Sequence, residues 1–431
     1  MIVFATFMNI HQPPPFEAFP YLTSGSAPLG NSTGNSTAYF DHNATTPLYL
    51  GVERAVSESI FSWGNPSSIH WASRGPKQIL RETRRDLAKY LVCDPLEIIF
   101  NSGGSEGNAT VIHSVFQQVS LKNQKKMKFI TTTVEHPSVM KSLSAIAELG
   151  AQVVHVPMLP TGKLDMEFFK SQLDHHTALV SIMAANNEFG SIFPLKEICE
   201  LAHNMGSLVH TDAVQAFGKL PIQLKQWGVD YATFSAHKFY ALKGCGFLYV
   251  RKGVPFQSLI PGGGQERSRR AGTENILGIA SLKAVIPFLP ETAKRANQTR
   301  FLRDEFESQI KSRISGVQIN AVESDRLPNT SSLVIDGIDG ETLLMSLDMK
   351  GVAVSTGAAC SSGNPEPSPS LLALGLSRAQ AQRSLRISFG WGNTQHELDH
   401  LVETLIETVA YLRSLNPSIH SSYEKTTELH P

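Results

Sequence analysis

Two residues, Asp212 and Lys238, could together hold a pyridinium-type aldehyde cofactor. Asp212 follows the apolar run that begins at Leu208, and Lys238 closes the segment Phe-Ser-Ala-His-Lys. An apolar run that finishes in polar groups is how a buried strand presents chemistry at its carboxyl edge. A carboxylate can keep a ring nitrogen protonated, and an amine can form a Schiff base with the aldehyde. Either residue alone is more often a solvated surface group, but Gln215 and His237 beside them favour the cofactor.

A glycine-rich turn, Ser102 to Gly107, could hold a phosphate group. It follows the apolar Ile98-Ile-Phe100 and precedes a helix-like run that starts near Asn108. A helix N-terminus offers free backbone N–H groups and the positive end of a dipole, and Ser105 adds a hydroxyl. Many strand-to-helix turns are glycine-rich for conformational reasons alone, so the turn by itself has a structural alternative.

Three further side chains follow strand-like runs and could contact a cofactor or a substrate. His136 could stack on a cofactor ring and move protons, although most such histidines are simply satisfied core or surface groups. Asn187 could bind a phenolic oxygen or a carboxylate through its amide, or belong to a turn. Arg386 lies in the strand-like Ser384 to Gly390 and needs an anion, which a substrate α-carboxylate or a structural salt bridge could supply.

One cysteine is placed for thiol chemistry. Cys360 lies in a loop of Ser, Gly and Pro, where no core needs filling, so accessible thiol chemistry is favoured. Cys93, Cys199 and Cys245 are interpreted as small buried hydrophobic residues. Since none of the four has CxxC spacing, neither a zinc site nor a disulfide framework is expected, and a reducing cytoplasm fits best.

Composition limits the classes of function. The chain has 431 residues, which suggests two domains, and 38 Lys+Arg balance 38 Asp+Glu. This neutrality does not point to nucleic acid or to a membrane surface, and no apolar run reaches the roughly 18 residues that a spanning helix needs. The basic run Gly262 to Asn275 is therefore assigned to a local phosphate or subunit contact.

Apolar runs alternate with amphipathic stretches, which predicts an α/β fold with a largely parallel central sheet. The predicted strands are 129–134, 152–156, 179–183 and 246–250, and helices are expected over 138–149 and 195–204. After Pro290 a charged helical stretch, 291–312, leads to strands near 317 and 332 and a last helix over 394–413. A domain boundary is expected near 290–296. Residues 1–38 are predicted to be a flexible extension without a targeting signal, since no basic residue precedes Arg54, and 416–431 a frayed tail.

Together these segments resemble the cysteine desulfurases of the NifS/IscS type, which are class V aminotransferase-like, fold-type I pyridoxal-phosphate (PLP) enzymes. The resemblance spans about residues 39 to 415. It implies a large PLP-binding domain (48–295) with a mainly parallel, seven-stranded sheet, and a smaller α+β domain (39–47 plus 296–415) that carries the cysteine loop. The matching motifs are Tyr39-Phe-Asp-His-Asn-Ala-Thr-Thr46, Ser102-Gly-Gly-Ser-Glu106, Glu135-His136, Asn186-Asn-Glu-Phe-Gly190, His210-Thr-Asp-Ala-Val-Gln215, Ser235-Ala-His-Lys238, Gly262 to Asn275, the Cys360 loop and Arg386-Ile-Ser-Phe-Gly390.

The resemblance also implies roles for individual residues. Lys238 is similar to the Schiff-base lysine, Asp212 to the pyridinium partner, Gln215 to the group near the phenolic oxygen and His136 to the stacking histidine. Cys360 resembles the nucleophile that becomes a persulfide. The phosphate contacts implied for the same subunit are Gly104, Ser105, Ser235 and His237, and Thr273 resembles the phosphate ligand of a partner subunit, which implies a homodimer. The substrate contacts implied are Asn187, Arg386 and Asn43, and Asn187 is also counted among the cofactor contacts.

The implied reaction converts L-cysteine to L-alanine and passes sulfur to an acceptor protein, either an iron–sulfur scaffold or a tRNA-thiolation partner. Alternatives are a selenocysteine lyase, an aminotransferase of the same fold and a protein that only docks on a sulfur-transfer assembly. Gly104 and Ser105 depart from the Ala-Thr that the family usually has there. The segment from Pro417 to Pro431 does not resemble the tail that some members use to hold a scaffold.

Overall fold

The computed structural model describes residues 37–120, 122, 126–356 and 366–415. The strands are β1 (Ala38–Tyr39), β2 (Ile98–Asn101), β3 (Lys128–Thr132), β4 (Gln152–Val156), β5 (Thr177–Ser181), β6 (Leu208–Asp212), β7 (Tyr231–Ser235), β8 (Gly246–Val250), β9 (Val317–Ile319), β10 (Thr330–Ile335), β11 (Val352–Ala353), β12 (Ser355–Thr356) and β13 (Ser384–Ser388). The α-helices are α1 (Leu50–Ile60), α2 (Arg74–Leu91), α3 (Gly104–Val115), α4 (Pro137–Glu148), α5 (Met166–Gln172), α6 (Leu195–Asn204), α7 (Leu224–Trp227), α8 (Ile276–Val285), α9 (Thr292–Arg313), α10 (Gly340–Met349), α11 (Pro369–Ala373), α12 (Arg378–Gln382) and α13 (Gln395–Ser414).

The larger sheet has seven strands in the order β2-β8-β7-β6-β5-β3-β4. All neighbours run parallel except β8, which is antiparallel to both β2 and β7. Successive residues of a strand point to opposite faces, and here both faces are covered: Phe129 and Ile130 belong to different apolar clusters. This confirms the predicted mainly parallel α/β sheet.

The smaller sheet is antiparallel, in the order β12-β13-β10-β9. Its apolar core includes Phe306 of α9, Leu343 of α10 and Leu401 of α13. The short strand β1 pairs in parallel with β11 and attaches the first described residues to this part of the molecule. The assignment of 39–47 and 296–415 to one domain stays a prediction.

Most predicted element positions match the structure, and the differences have local causes. Helices α4 and α6 lie where they were expected, but β3 ends at Thr132 and β5 at Ser181, two residues early. Beyond these ends, backbone N–H groups donate to side chains. The Met183 N–H donates to the Glu135 carboxylate, and the Val134 N–H donates to the Thr132 hydroxyl.

The first 36 residues of the predicted extension and the predicted tail lie outside the described residues. Ala38 was assigned to the extension, but it is buried and pairs with Val352. That assignment is therefore wrong for this residue, since a backbone pairing holds it in β1.

In the described part of the chain, one helical stretch, Ile276–Arg313, is long and apolar enough by composition to cross a membrane. Half of the most apolar 18-residue segment of this stretch, the apolar window, is buried inside the protein. Lys283 within that window pairs with Glu82 of α2. A core helix passes the same compositional test, so the stretch is weak evidence for a membrane span.

Candidate active site

Asp212 and Lys238 lie at adjacent strand ends of the large sheet. Asp212 is the last residue of β6, and Lys238 closes a single helical turn directly after β7. Strands β6 and β7 are parallel neighbours, so their carboxyl ends share one edge of the sheet. The structure thus brings together the carboxylate and the amine that the sequence singled out.

Neutral donors fix the Asp212 carboxylate. The residue is buried, its Oδ1 accepts the Val214 N–H at 3.0 Å, and its Oδ2 accepts the Asn108 amide N–H at 2.7 Å. Asn108 is fully buried on α3 and also donates to the Ser138 hydroxyl. Because these donors carry no charge, the carboxylate keeps its charge for a protonated ring nitrogen. In the sequence, Asn108 was used only to mark the start of a helix. Its burial could have been predicted, because this polar residue lies on the same helix face as the apolar Val111 and Ile112.

The Lys238 amine rests on two backbone carbonyls. Its Nζ donates to the carbonyl oxygens of Asn43 at 2.7 Å and Ala44 at 2.6 Å. The segment that supplies them is held by the Thr46 N–H, which donates to the His237 carbonyl, and by the Asn43 N–H, which donates to the Ser388 hydroxyl. The segment 39–46 therefore positions the amine through its backbone.

Asn43 is a buried junction between the two sheets. Its amide N–H₂ donates to the Asn187 carbonyl at 3.1 Å and to the Thr330 hydroxyl at 2.9 Å. Its Oδ1 accepts from Lys219 at 2.8 Å and from Asn329 at 3.1 Å. Both polar atoms of the carboxamide thus have partners within the protein, and the substrate contact of Asn43 stays a prediction.

Gln215 lies beside this junction and is also buried. Its Nε2 donates to the Asn43 carbonyl at 2.9 Å, and its Oε1 accepts from the Lys219 amine. Lys219, which sequence reasoning did not single out, is 7% exposed. The surrounding sequence does not predict that Lys219 is buried, because lysine is normally a solvated residue.

His136 is the N-cap residue of α4. Its Nδ1 accepts the Ser138 N–H at 3.1 Å, which leaves the proton of the neutral ring on Nε2. The side chain is exposed, yet the surrounding protein removes water from the ring and so lowers its pKa. The Asp212 carboxylate opposes this lowering, and the Lys238 amine adds to it. A neutral ring with a free Nε2–H suits stacking and proton transfer.

Glu135, next to it, is fully buried. Its Oε1 accepts from the Met183 N–H and from the Thr132 hydroxyl, both at 2.9 Å. Burial raises the pKa of this carboxyl to about 8, and the Asp212 carboxylate contributes in the same direction. At neutral pH Glu135 is therefore protonated.

The glycine-rich turn is packed so closely that a side chain would fill it. Gly103 has φ +145°, and α3 starts at Gly104. A Cβ at Gly103 would lie 3.4 Å from the Ser235 hydroxyl, and one at Gly104 would lie 3.0 Å from the Val214 side chain. Ser105 is exposed at this helix N-terminus, and Ser235 is the buried last residue of β7. Three of the predicted phosphate contacts, Gly104, Ser105 and Ser235, thus lie at one helix N-terminus, which is a ready anion site.

His237 and Thr273 are the two remaining residues that were predicted to contact the phosphate. The His237 Nδ1 is 3.1 Å from the Thr45 hydroxyl, and burial, with Lys238 and Lys243, lowers its pKa to about 4. Thr273 is exposed and lines a separate cavity of about 220 Å³ whose wall includes Ser102 and Gly244.

The Thr273 loop is anchored by two ion pairs, of which one is buried and one is partly buried. Glu266 accepts two hydrogen bonds from the Arg84 guanidinium and one from the Phe100 N–H. Arg270 makes a two-fold hydrogen bond with Glu106 in the first turn of α3. The basic run is therefore fastened to the glycine-rich turn.

Arg386 lies on β13 and is buried with a carboxylate from its own chain. Its NH2 donates to Asp41 at 2.7 Å and its NH1 to the Asn187 carbonyl at 3.2 Å. Its Nε has no partner among the described residues. The structural salt bridge that was weighed against substrate binding is present, and the guanidinium also contacts Asn187.

Cys360 lies outside the described residues. The strand that precedes it in the sequence, β12, pairs with β13 so that Ser355 lies opposite Arg386. Ser355, five residues before Cys360 in the sequence, thus lies beside Arg386.

Comparisons with known proteins agree with this architecture. Residues 38–401 match the family model of class-V aminotransferases. A cysteine desulfurase of Cereibacter sphaeroides is 40% identical over 382 residues, which are 88% of this chain and 97% of that protein. The cysteine desulfurase IscS of Dictyoglomus turgidum is 39% identical over 381 residues, covering 88% of this chain and 96% of that protein.

Solved structures give the same result. A NifS-like protein superposes with a TM-score of 0.81 at 35% identity, covering 87% of this chain and 100% of the other. SspA in complex with cysteine superposes with a TM-score of 0.73 at 30% identity, covering 83% of this chain and 100% of the other. With most of its length matched, the chain belongs to the class-V aminotransferase family of pyridoxal-phosphate enzymes.

Proposed function

We propose that this protein is a cysteine desulfurase that takes sulfur from L-cysteine and leaves L-alanine. The observation that carries the proposal is the pairing of Asp212 and Lys238 at adjacent strand ends, in a chain 40% identical to a cysteine desulfurase over 88% of its length. Cysteine desulfurases are the similar proteins on which the comparisons agree, so a selenocysteine lyase or an aminotransferase is not favoured.

The residues present fit pyridoxal phosphate. The tight glycine-rich turn at the start of α3, with Ser105, Ser235 and His237 around it, would hold the phosphate, and Asp212 would hold the ring nitrogen. Gln215 would lie near the phenolic oxygen, and His136 would stack on the ring. When bound, the cofactor supplies an electron sink that acidifies the α-carbon of an amino acid.

Lys238 has two tasks in this proposal. Its amine would hold the cofactor through the aldehyde, and it would also take the proton from the α-carbon of L-cysteine. The carbonyls of Asn43 and Ala44 hold the nitrogen in place in the structure. Such positioning by rigid backbone is a large part of catalysis in general.

Arg386 and Asn187 are proposed to hold the substrate carboxylate. The guanidinium has five N–H donors, so it can serve Asp41 and a second carboxylate at once. His136, neutral with its proton on Nε2, would then assist proton transfer near the substrate sulfur.

Cys360 is the proposed nucleophile. Its thiolate would attack the substrate sulfur, form the S–S bond of a persulfide and break the C–S bond, while the electron pair left on carbon is protonated to give alanine. The persulfide sulfur then passes to an acceptor protein, either an iron–sulfur scaffold or a thiolation partner. Free thiols at Cys93, Cys199 and Cys245 fit a reducing compartment, and we place the protein in the cytoplasm.

A homodimer completes the proposal. Thr273 is exposed, as a residue that reaches into a partner's phosphate site must be. We call Ile60, Phe61, Trp63, Ile69 and Trp71 the aromatic patch; its members are strongly exposed, up to 99% at Ile69. Trp63 and Trp71 pack edge to face with ring centroids 6.2 Å apart. An exposed cluster of this kind marks an interaction surface, and a second copy of the chain is the partner we propose.

The test compares wild type with Cys360→Ala. The wild type should absorb visible light after reconstitution with pyridoxal phosphate and form alanine and sulfide in equal amounts from L-cysteine. Cys360→Ala should keep the absorbance and lose sulfide release, since only the nucleophile is missing. Cys93→Ala, which changes a half-buried free thiol, is the control and should behave as wild type. Full turnover by Cys360→Ala would refute its assignment, and a wild type that cannot take up the cofactor would refute the proposed function.

A further inference from the structure

The buried lysine beside the proposed cofactor site, Lys219, has no role in the reaction described above. It lies in the turn after β6, where Gly218, at φ +75°, packs so closely that a Cβ would lie 2.9 Å from the Phe239 Cβ. This backbone geometry turns the Lys219 side chain into the protein, where the residue is 7% exposed. Burying an amine costs free energy unless the amine is hydrogen-bonded, so its contacts need an explanation.

Those contacts converge on the site. The Lys219 amine donates to the Gln215 Oε1 and, at 2.8 Å, to the Asn43 Oδ1. The Gln215 Nε2 in turn donates to the Asn43 carbonyl, which also accepts from Lys238. A carboxamide can be rotated by 180° with little change of shape. The donor that binds Oε1 therefore decides on which side the oxygen lies and on which side the N–H₂ group lies.

With Oε1 fixed on Lys219, Gln215 presents its N–H₂ end. One of these two N–H groups is used by the Asn43 carbonyl at 2.9 Å. The second is available to a negatively charged oxygen beside Lys238. We infer that Lys219 is a positioning residue, which orients the Gln215 carboxamide so that it donates to the phenolic oxygen of the cofactor. This inference rests on the proposed function.

The charges around Lys219 agree with this role. Burial lowers the pKa of its amine well below the usual value, and the cations Lys238 and Arg386 lower it further, while Asp41 opposes them. His42 and His237 are the other titratable groups that interact with it. The amine donates to two uncharged oxygens, the Gln215 Oε1 and the Asn43 Oδ1.

The test measures the pH midpoint of the visible absorbance of the reconstituted enzyme. In Lys219→Met, Gln215 loses its fixed orientation, the phenolic oxygen loses a donor and becomes more basic, and the midpoint should rise by about half a pH unit or more. Gln215→Ala should shift it in the same direction. Because Lys219 acts through Gln215, adding Lys219→Met to Gln215→Ala should produce no further shift.

Two further variants separate positioning from stability. Lys128→Met is the matched control: Lys128 is 11% exposed and donates to the Gln172 carbonyl and to Asp174, and its loss should leave the midpoint unchanged. Lys219→Gln keeps an N–H₂ donor and should recover most of the wild-type midpoint. If Lys219→Met does not fold, Lys219→Leu takes its place, with the same expected shift.

The outcomes distinguish this inference from the proposed function. A wild type that takes up no cofactor contradicts the proposed function itself. A wild type that takes it up, with an unchanged midpoint in Lys219→Met or additive shifts in the double variant, overturns the role of Lys219 alone. Failure of Lys219→Met and Lys219→Leu to fold would make Lys219 a stability residue and would overturn the inference as well.

Discussion

At the scale of single residues, the role proposed for Asp212 depends on its neighbour Asn108, which has no proposed part in the reaction. The Asn108 amide holds the carboxylate at 2.7 Å from inside α3, and Ser138 holds Asn108. A hydrogen bond to a buried charge is worth about 1.5–3 kcal/mol, more than one between neutral groups. The orientation of the carboxylate is therefore set by a helix on one face of the sheet.

Replacing this amide should weaken cofactor binding. In Asn108→Ala, Asp212 loses its strongest donor, and we expect the dissociation constant of pyridoxal phosphate to rise about tenfold or more. Absorbance titration of the apoprotein measures this. Asn320→Ala is the matched control, because Asn320 is equally buried but donates to Ser332 in the small sheet. Equal affinity in Asn108→Ala and wild type would contradict the role given to Asn108.

Sequence patterns located some of these residues and not others, for a physical reason. Asp212, Lys238 and His136 were predictable because polar groups that end apolar runs meet at one edge of a parallel sheet. Lys219 was not, since a turn pattern does not reveal that a lysine folds inward. Asn43 was assigned by resemblance alone, because its anchor Ser388 is 345 residues further along the chain.

At the scale of elements, the start of α3 and the start of β8 are packed against each other. A Cβ at Gly246 would lie 2.6 Å from the Gly103 Cα and 2.5 Å from the Phe234 carbonyl oxygen. Both neighbours are backbone, so neither can move aside without shifting a strand or the glycine-rich turn. The shape of the proposed phosphate site is thus fixed by strand packing as much as by its own sequence.

A methyl group at Gly246 should therefore disturb the turn. We expect Gly246→Ala to lower the free energy of unfolding by about 1–3 kcal/mol and to weaken the binding of pyridoxal phosphate. Denaturant unfolding and absorbance titration check the two effects. In Gly264→Ala, the control, the backbone has φ −77° and the added Cβ meets nothing within 4 Å. Wild-type affinity in Gly246→Ala would show that the turn does not shape the site.

At the scale of the whole molecule, the aromatic patch is the feature that a single copy leaves unexplained. Phe61 and Trp63 are 83% and 73% exposed. Large apolar side chains in such numbers are rare on the surface of a monomer, and a stable dimer buries roughly 1,600 Å² in total. The patch is therefore the surface on which we expect the second copy to pack.

The double variant Trp63→Ser, Ile69→Ser should dissociate the dimer. Sedimentation velocity should give twice the chain mass for the wild type and the single chain mass for the variant at the same concentration. The dissociated chain should also bind pyridoxal phosphate more weakly, because the partner's Thr273 is lost. Met349→Ser changes an equally exposed residue, at 81%, elsewhere on the surface and should stay dimeric. A dimeric double variant would exclude the patch as the interface.

The hydrogen bond between the Asn43 N–H and the Ser388 hydroxyl has a consequence for biosynthesis. A ribosome releases Asn43 early, but this anchor of the segment that holds the Lys238 amine forms only after β13 has been translated. All seven strands of the large sheet emerge well before that point. A nascent or prematurely terminated chain can therefore form this sheet and still lack a closed site, so that only a nearly complete polypeptide becomes competent for chemistry.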